Sequence, residues 1–168
     1  MRAFLVCSVI ASSLCLAHVA AAQQTAPATE DAICSFEDGH SITARYTPVP
    51  AGRASGPPIG KVWTENNPTW TLFTETEVAL GNTAIPTGGY TLYLQAGKKE
   101  WTLIVSKNTS VEAKYDEKMD LARGQMEIGE LSQPADKLSL YFGHTGPKKC
   151  ELNIDFGKLR GWGEFHEK

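Results

Sequence analysis

The stretch Tyr115-Asp116-Glu117-Lys118-Met119-Asp120-Leu121-Ala122-Arg123 is the best cluster of ionisable groups in the chain. If Asp116 to Asp120 forms a helical turn, its two aspartates are i,i+4 neighbours and repel each other. Arg123, Lys118 or a bound cation would compensate them. Three readings follow: a salt-bridged turn that positions a strand, a metal or ligand site, and a carboxylate pair for acid–base work. No partner nucleophile accompanies the carboxylates, so the turn is the simplest reading and catalysis the least supported.

Two other groups of residues invite a chemical reading. Glu164 and His166 lie two apart on an extended segment and so share a face. With His40 or His144 they could ligate a metal ion, although chain-end histidines are commonly just exposed. Trp63 and Trp70 flank the polar Asn66-Asn67-Pro68 turn and could form a stacking platform for a sugar or peptide. The alternative is that both indoles pack in the core, as expected for Trp101, which alternates with Leu103. Asn108-Thr109-Ser110 fits a glycosylation sequon, a match expected to be accidental. There is no G-x-S-x-G, H-E-x-x-H, P-loop or dinucleotide fingerprint. An enzyme is therefore less expected than a binding protein, and no cofactor is expected.

The elements that must position these residues begin behind an export signal. Met1-Arg2 is a short positive start, Ala3 to Ala17 is nearly apolar, and Val19-Ala20-Ala21-Ala22 ends the run in an A-x-A pattern. Residues 1–22 are read as a signal peptide cleaved after Ala22, and 23–31 as a disordered leader. The chain is expected in the periplasm or secreted. Leu14 stands where a lipoprotein site wants a small residue, which argues against Cys15 as a lipid anchor. No later segment is apolar for long enough to span a membrane as a helix. Of the four cysteines, only Cys34 and Cys150 lie beyond the leader, and in an oxidising compartment they are expected to pair. Charge is weakly acidic, −3 over 168 residues, which gives no support to nucleic-acid binding.

From Ala32 onward the chain reads in period two. Strands are expected near 34–37, 41–46, 69–74, 76–80, 83–85 leading into 90–94, 101–107, 121–128, 137–142, 149–156 and 162–166, the last as an edge. In 149–156 Cys150, Leu152, Ile154 and Phe156 point inward. Thr47 to Gly60 holds four prolines and three glycines and must be a long loop. Asn108 to Met119 is expected to be loop with a helical turn. About nine or ten short strands without an amphipathic helix predict one all-β domain over 32–168, an antiparallel β-sandwich or barrel-like sandwich.

Several phrases in order carry a family resemblance: Gly60-Lys61-Val62-Trp63, Ile85-Pro86-Thr87-Gly88-Gly89-Tyr90-Thr91-Leu92-Tyr93, Glu100-Trp101-Thr102-Leu103-Ile104-Val105, Lys107-Asn108, and Tyr115 to Arg123. From Cys34 to the C-terminus the chain resembles the exported bacterial family known as domain of unknown function 2911 (DUF2911). The resemblance implies an all-β extracytoplasmic domain and no assigned activity, so no catalytic residue carries over. Where the family commonly reads Trp-Arg-Thr-Gly-Ala-Asn, this chain has Trp63-Thr64-Glu65-Asn66-Asn67-Pro68. An anion-binding role for that arginine is in doubt here.

The function expected from these readings is a non-catalytic extracytoplasmic domain that binds a ligand or an envelope protein. Its candidate contact residues are Trp63, Trp70, Tyr115, Asp116, Asp120 and Arg123. The alternatives are a metal-assisted hydrolase using Asp116 and Asp120, or His144 and His166, and a structural envelope component.

Overall fold

Burial alternates residue by residue through most of the chain, and each alternating stretch is an antiparallel strand with one face in the core. The computed structural model describes residues 28–52, 56–64, 70–110 and 114–168. The expected signal segment, most of the leader and the Asn66-Asn67-Pro68 turn lie outside the described residues. Among the described residues nine strands are formed: β1 (Glu30–Ser35), β2 (Ser41–Tyr46), β3 (Trp70–Thr74), β4 (Val78–Leu80), β5 (Thr83–Ile85), β6 (Gly88–Ala96), β7 (Trp101–Ser106), β8 (Asp120–Gly146) and β9 (Lys149–Glu167). They form one all-antiparallel sheet in the order β1-β2-β3-β6-β7-β8-β9-β4-β5, which does not close into a barrel. Among the described residues the only helical element is a 3-10 turn, Glu117–Met119, and no helix is long and apolar enough to cross a membrane.

Two strands are much longer than expected. The separate segments 121–128 and 137–142 are one strand, β8. Its first part pairs with β7 (Trp101↔Met126) and the rest with β9 (Glu127↔Trp162 to Gly146↔Lys149). Gly129 and Pro134 read as a break in the sequence. In the fold Gly129 is still in register with Arg160, and Pro134 falls where the β8–β9 register shifts, between Glu130 and Ala135, with a second shift before Ser139. Bulges of this kind bend a strand without ending it, and a proline is tolerated where the ladder is interrupted. Gly157, opposite Ala135, has φ of 59°, which glycine adopts without the Cβ penalty. Segment 162–166 is not a separate edge strand. It is the C-terminal part of β9, an interior strand that passes from β8 at Trp162 (Glu127↔Trp162) to β4 at Phe165 (Leu80↔Phe165). The edges are β1 and β5.

The bend in β8 turns the sheet's inward faces into a shared core. Trp70, Leu72, Leu92, Leu94, Trp101 and Leu103 come from one part, and Leu138, Leu140, Leu152, Ile154, Phe156 and Phe165 from the other. The β1 edge is tied to β8 by Lys137 Nζ on Glu30 Oε1 at 2.8 Å. Just after β2, the Leu138 N–H donates to Val49 O. A disulfide joins Cys34 on β1 to Cys150 on β9, with Cα atoms 6.2 Å apart. This bridge is consistent with an extracytoplasmic location.

Candidate functional site

Along β8 the inward residues are Ala122, Gly124 and Met126, and the outward ones are Arg123, Gln125 and Glu127. The described parts of the β7–β8 connection, 107–110 and 114–119, pack back onto this outward face. Asp116 starts the turn by accepting the Lys118 N–H at 3.0 Å. Lys107 N–H and Ser106 Oγ both donate to Met119 O, and Thr91 Oγ1 donates to Asn108 O at 2.6 Å. The Tyr115 ring thereby meets Tyr93 edge to face, centroids 5.0 Å apart. Ile104 is fully buried although it stands on the outward face, in register with Tyr93 and Arg123.

Arg123 is the hub of this cover. Its Nε donates to Asp120 Oδ2 at 2.9 Å, its Nη2 to Tyr115 OH at 2.6 Å and to Glu117 Oε1 at 3.2 Å, and its Nη1 to Gln95 Oε1 at 3.4 Å. Tyr115 OH donates to Asp120 Oδ2 at 2.9 Å. With every guanidinium nitrogen engaged, the cluster fastens the connection to the sheet.

Burial, and then the bond to Asp120, push the Tyr115 phenol up from 10.0 to about 12. A raised phenol favours the protonated folded state. The stability it contributes is present below pH about 10 and is lost as pH rises towards 12. Phenolate absorbance should show a step near pH 12 that disappears in Tyr115→Phe. An unchanged curve in that variant would refute the assignment.

Arg123, Gln125 and Glu127 lead along β8 to a concavity of about 260 Å³ lined by Gln125, Glu127, Glu151, Trp162, Gly163 and Glu164. It lies where the end of β9 parts from β8 and the tip of the β8–β9 hairpin comes in beside it. Glu167 N–H donates to Lys148 O at 2.8 Å. Glu164 is held by Lys149 Nζ at 3.1 Å, Thr145 Oγ1 at 2.9 Å and His166 Nε2 at 2.8 Å. These partners hold its carboxyl below the usual range against the opposing effect of burial. Gln125 donates its amide to Glu100. The Trp162 indole is half-buried, and Asn153 Nδ2 donates to Glu151 Oε1 at 3.2 Å. The walls therefore present three carboxylates and the flank of an indole.

Of the residues singled out in the sequence, Tyr115, Asp120 and Arg123 come together. Asp116 is not in their network and caps the adjoining turn. Trp63 and Trp70 are buried in the core, edge to face at 5.8 Å, with Trp63 also 4.7 Å from Phe156. His166 pairs with Glu164, as shared-face spacing implied, but His144 is exposed and stands opposite Cys150. His40 lies elsewhere, 2.6 Å from Asp38. Sequence reasoning missed Glu127, Glu151 and Gln125. Alternation along β8 marks Gln125 and Glu127 as outward, but nothing local brings Glu151 to them.

Residues 32–161 match the model of a family described as "Protein of unknown function (DUF2911)". No curated protein and no solved structure matches the chain.

Proposed function

Since the chain belongs to the DUF2911 family of proteins of unknown function, its role has to be read from its own surface, and we propose a non-catalytic extracytoplasmic domain that binds a small, donor-rich ligand. The observation that carries this reading is the concavity on β8 and β9. Its three carboxylates accept hydrogen bonds, and Trp162 offers an aromatic face. A complementary ligand carries ammonium or hydroxyl donors on one side and C–H groups on the other. An amino sugar combines both. The floor is built on paired strands, so the site is preorganised and little ordering opposes binding. The Arg123 cluster forms the neighbouring stretch of the same face and would meet a larger partner. The bridge between Cys34 and Cys150 supports placement in the periplasm or outside the cell, the compartment expected from the leader.

Glucosamine oligomers, neutral glucose oligomers and spermidine should be titrated against the oxidised protein while tryptophan fluorescence is followed. A saturable change with the amino sugars is expected, weakened at least tenfold in Trp162→Ala and in Glu127→Gln, a loss of about 1.4 kcal/mol or more. No saturable response to any of the three probes would refute the reading, as would a response indifferent to both substitutions.

A further inference from the structure

At the very end of β9, three residues beyond Glu164, three side chains converge from distant parts of the chain. Asp38 and His40 belong to the turn between β1 and β2, and Glu167 is the last residue of β9. Each offers a ligand atom, and these atoms all lie within 4.8 Å of one another. Asp38 and His40 are half-exposed, while the Glu167 side chain is only 4% exposed. Glu167 Oε1 is buried and has no hydrogen-bond partner. Leaving a buried carboxylate oxygen unpaired is costly, and beside a second carboxylate and an imidazole it is satisfied by a cation or by a proton shared between the two carboxylates. Lys148 Nζ approaches only Oε2, at 3.9 Å, and is itself largely exposed.

The backbone holds all three positions in place. Phe36 N–H donates to His40 O at 2.8 Å and Gly39 N–H to Phe36 O at 3.1 Å, which closes the turn. Gly39 takes φ of 93°, a conformation suited to glycine. On the other side, Glu167 N–H donates to Lys148 O and Lys168 N–H to Glu77 O, while Val78 on β4 is in register with Glu167. The ligands thus stand on ladders and a closed turn, the support a metal site requires.

We propose that Asp38, His40 and Glu167 bind one divalent transition-metal ion of the zinc class. Two carboxylate oxygens and an imidazole nitrogen suit a borderline ion. The nitrogen disfavours calcium and magnesium, which take oxygen ligands. Among the described residues both cysteines, Cys34 and Cys150, are spent in the disulfide, so the cluster offers no thiolate to select a soft ion such as Cu(I). His40 Nδ1 and Asp38 Oδ2 share a proton across 2.6 Å. The ion takes that proton's place at Nδ1: from the imidazolium, which Asp38 favours, one proton passes to solvent and Nε2 keeps its own, while from the neutral ring the proton moves to Nε2. With three protein ligands and two of them exposed, the remaining coordination position faces water. The site clips the end of β9 to the β1–β2 turn and does not depend on the concavity described above.

The test uses tag-free, oxidised, chelator-dialysed protein and zinc chloride alone, with calcium and magnesium as controls. Calorimetry should find one zinc ion per chain, with a buffer-dependent heat that reports proton release, and the melting temperature should rise with zinc only. His40→Ala and Glu167→Gln should each lower the affinity at least tenfold, and His166→Ala should leave it unchanged. His40 is half-exposed, so His40→Ala keeps the result readable even where Glu167→Gln folds poorly. Absence of saturable zinc binding would overturn the proposal. So would zinc binding that persists in His40→Ala, or that is lost in His166→Ala because the ion sits at Glu164.

Discussion

Replacing Cys34 and Cys150 together by alanine should lower the unfolding free energy by about 4–5 kcal/mol, measured by urea titration of the oxidised wild type against the variant. The bond spans 116 positions of sequence, and chain entropy makes so long a loop among the most stabilising to close. It also acts at a vulnerable place. β1 is a sheet edge, paired along its ladder with β2 alone, whereas β9 is an interior strand. Without the bond β1 would be free to fray from that edge. Against a typical domain stability of about 5–15 kcal/mol the loss is large enough to leave the reduced protein partly unfolded on warming. The unfolded chain without the bond is also less compact, so the denaturant slope should increase. Alanine is preferred to serine because Cys150 is fully buried and a hydroxyl there would need a partner. Reduced wild type should match the variant. A midpoint that does not move in either would show that the bridge contributes nothing.

Gly161→Ala should cost about 2–3 kcal/mol, as an overpacked core position does. Gly161 is buried on β9, in register with Ile128. A Cβ there would fall 2.6 Å from Trp101 Cζ3 and nearer still to Cε3. The Trp101 indole is 1% exposed and cannot swing away into solvent. Gly143 is the matched control, because the nearest atom to its Cβ would be Asn153 Nδ2 at 3.9 Å. Gly143→Ala should stay within about 0.5 kcal/mol of wild type. Shrinking the ring should relieve the clash, so Trp101→Phe combined with Gly161→Ala should be less destabilising than the two single losses added. Equal midpoints for Gly161→Ala and Gly143→Ala would contradict the packing described.

Both predictions depend on contacts between residues far apart in sequence, and only part of that arrangement is legible in the sequence. The facing of β9 is legible: Cys150, Leu152, Ile154 and Phe156 are all buried, as their alternation implies. The short strands Val78–Leu80 and Thr83–Ile85 and the turn between them follow from Gly81-Asn82. The continuity of β8 is not legible. Gly129 and Pro134 carry the same local signal whether a chain stops or bends through a bulge, and only the partner strand decides between them. Ile104 stands on the outward face and is nonetheless buried, in register between Tyr93 and Arg123, the two residues that Tyr115 meets. The Arg123 cluster was visible as a run of charges, but the concavity joins Glu151 to Glu127 and the metal cluster joins Asp38 to Glu167, and neither pair shares a local pattern.

By itself the sequence determined that this is an all-β chain of antiparallel strands, which side of most strands turns inward, and which two cysteines were left to pair. A period of two in hydrophobicity acts within a strand, so it survives in a one-dimensional reading. Only the tertiary structure decided which strands lie side by side, where β8 bends, and which carboxylates meet. Those outcomes depend on pairing across long loops. There the closure cost rises only slowly with length, and the choice of partner falls to packing in the shared core.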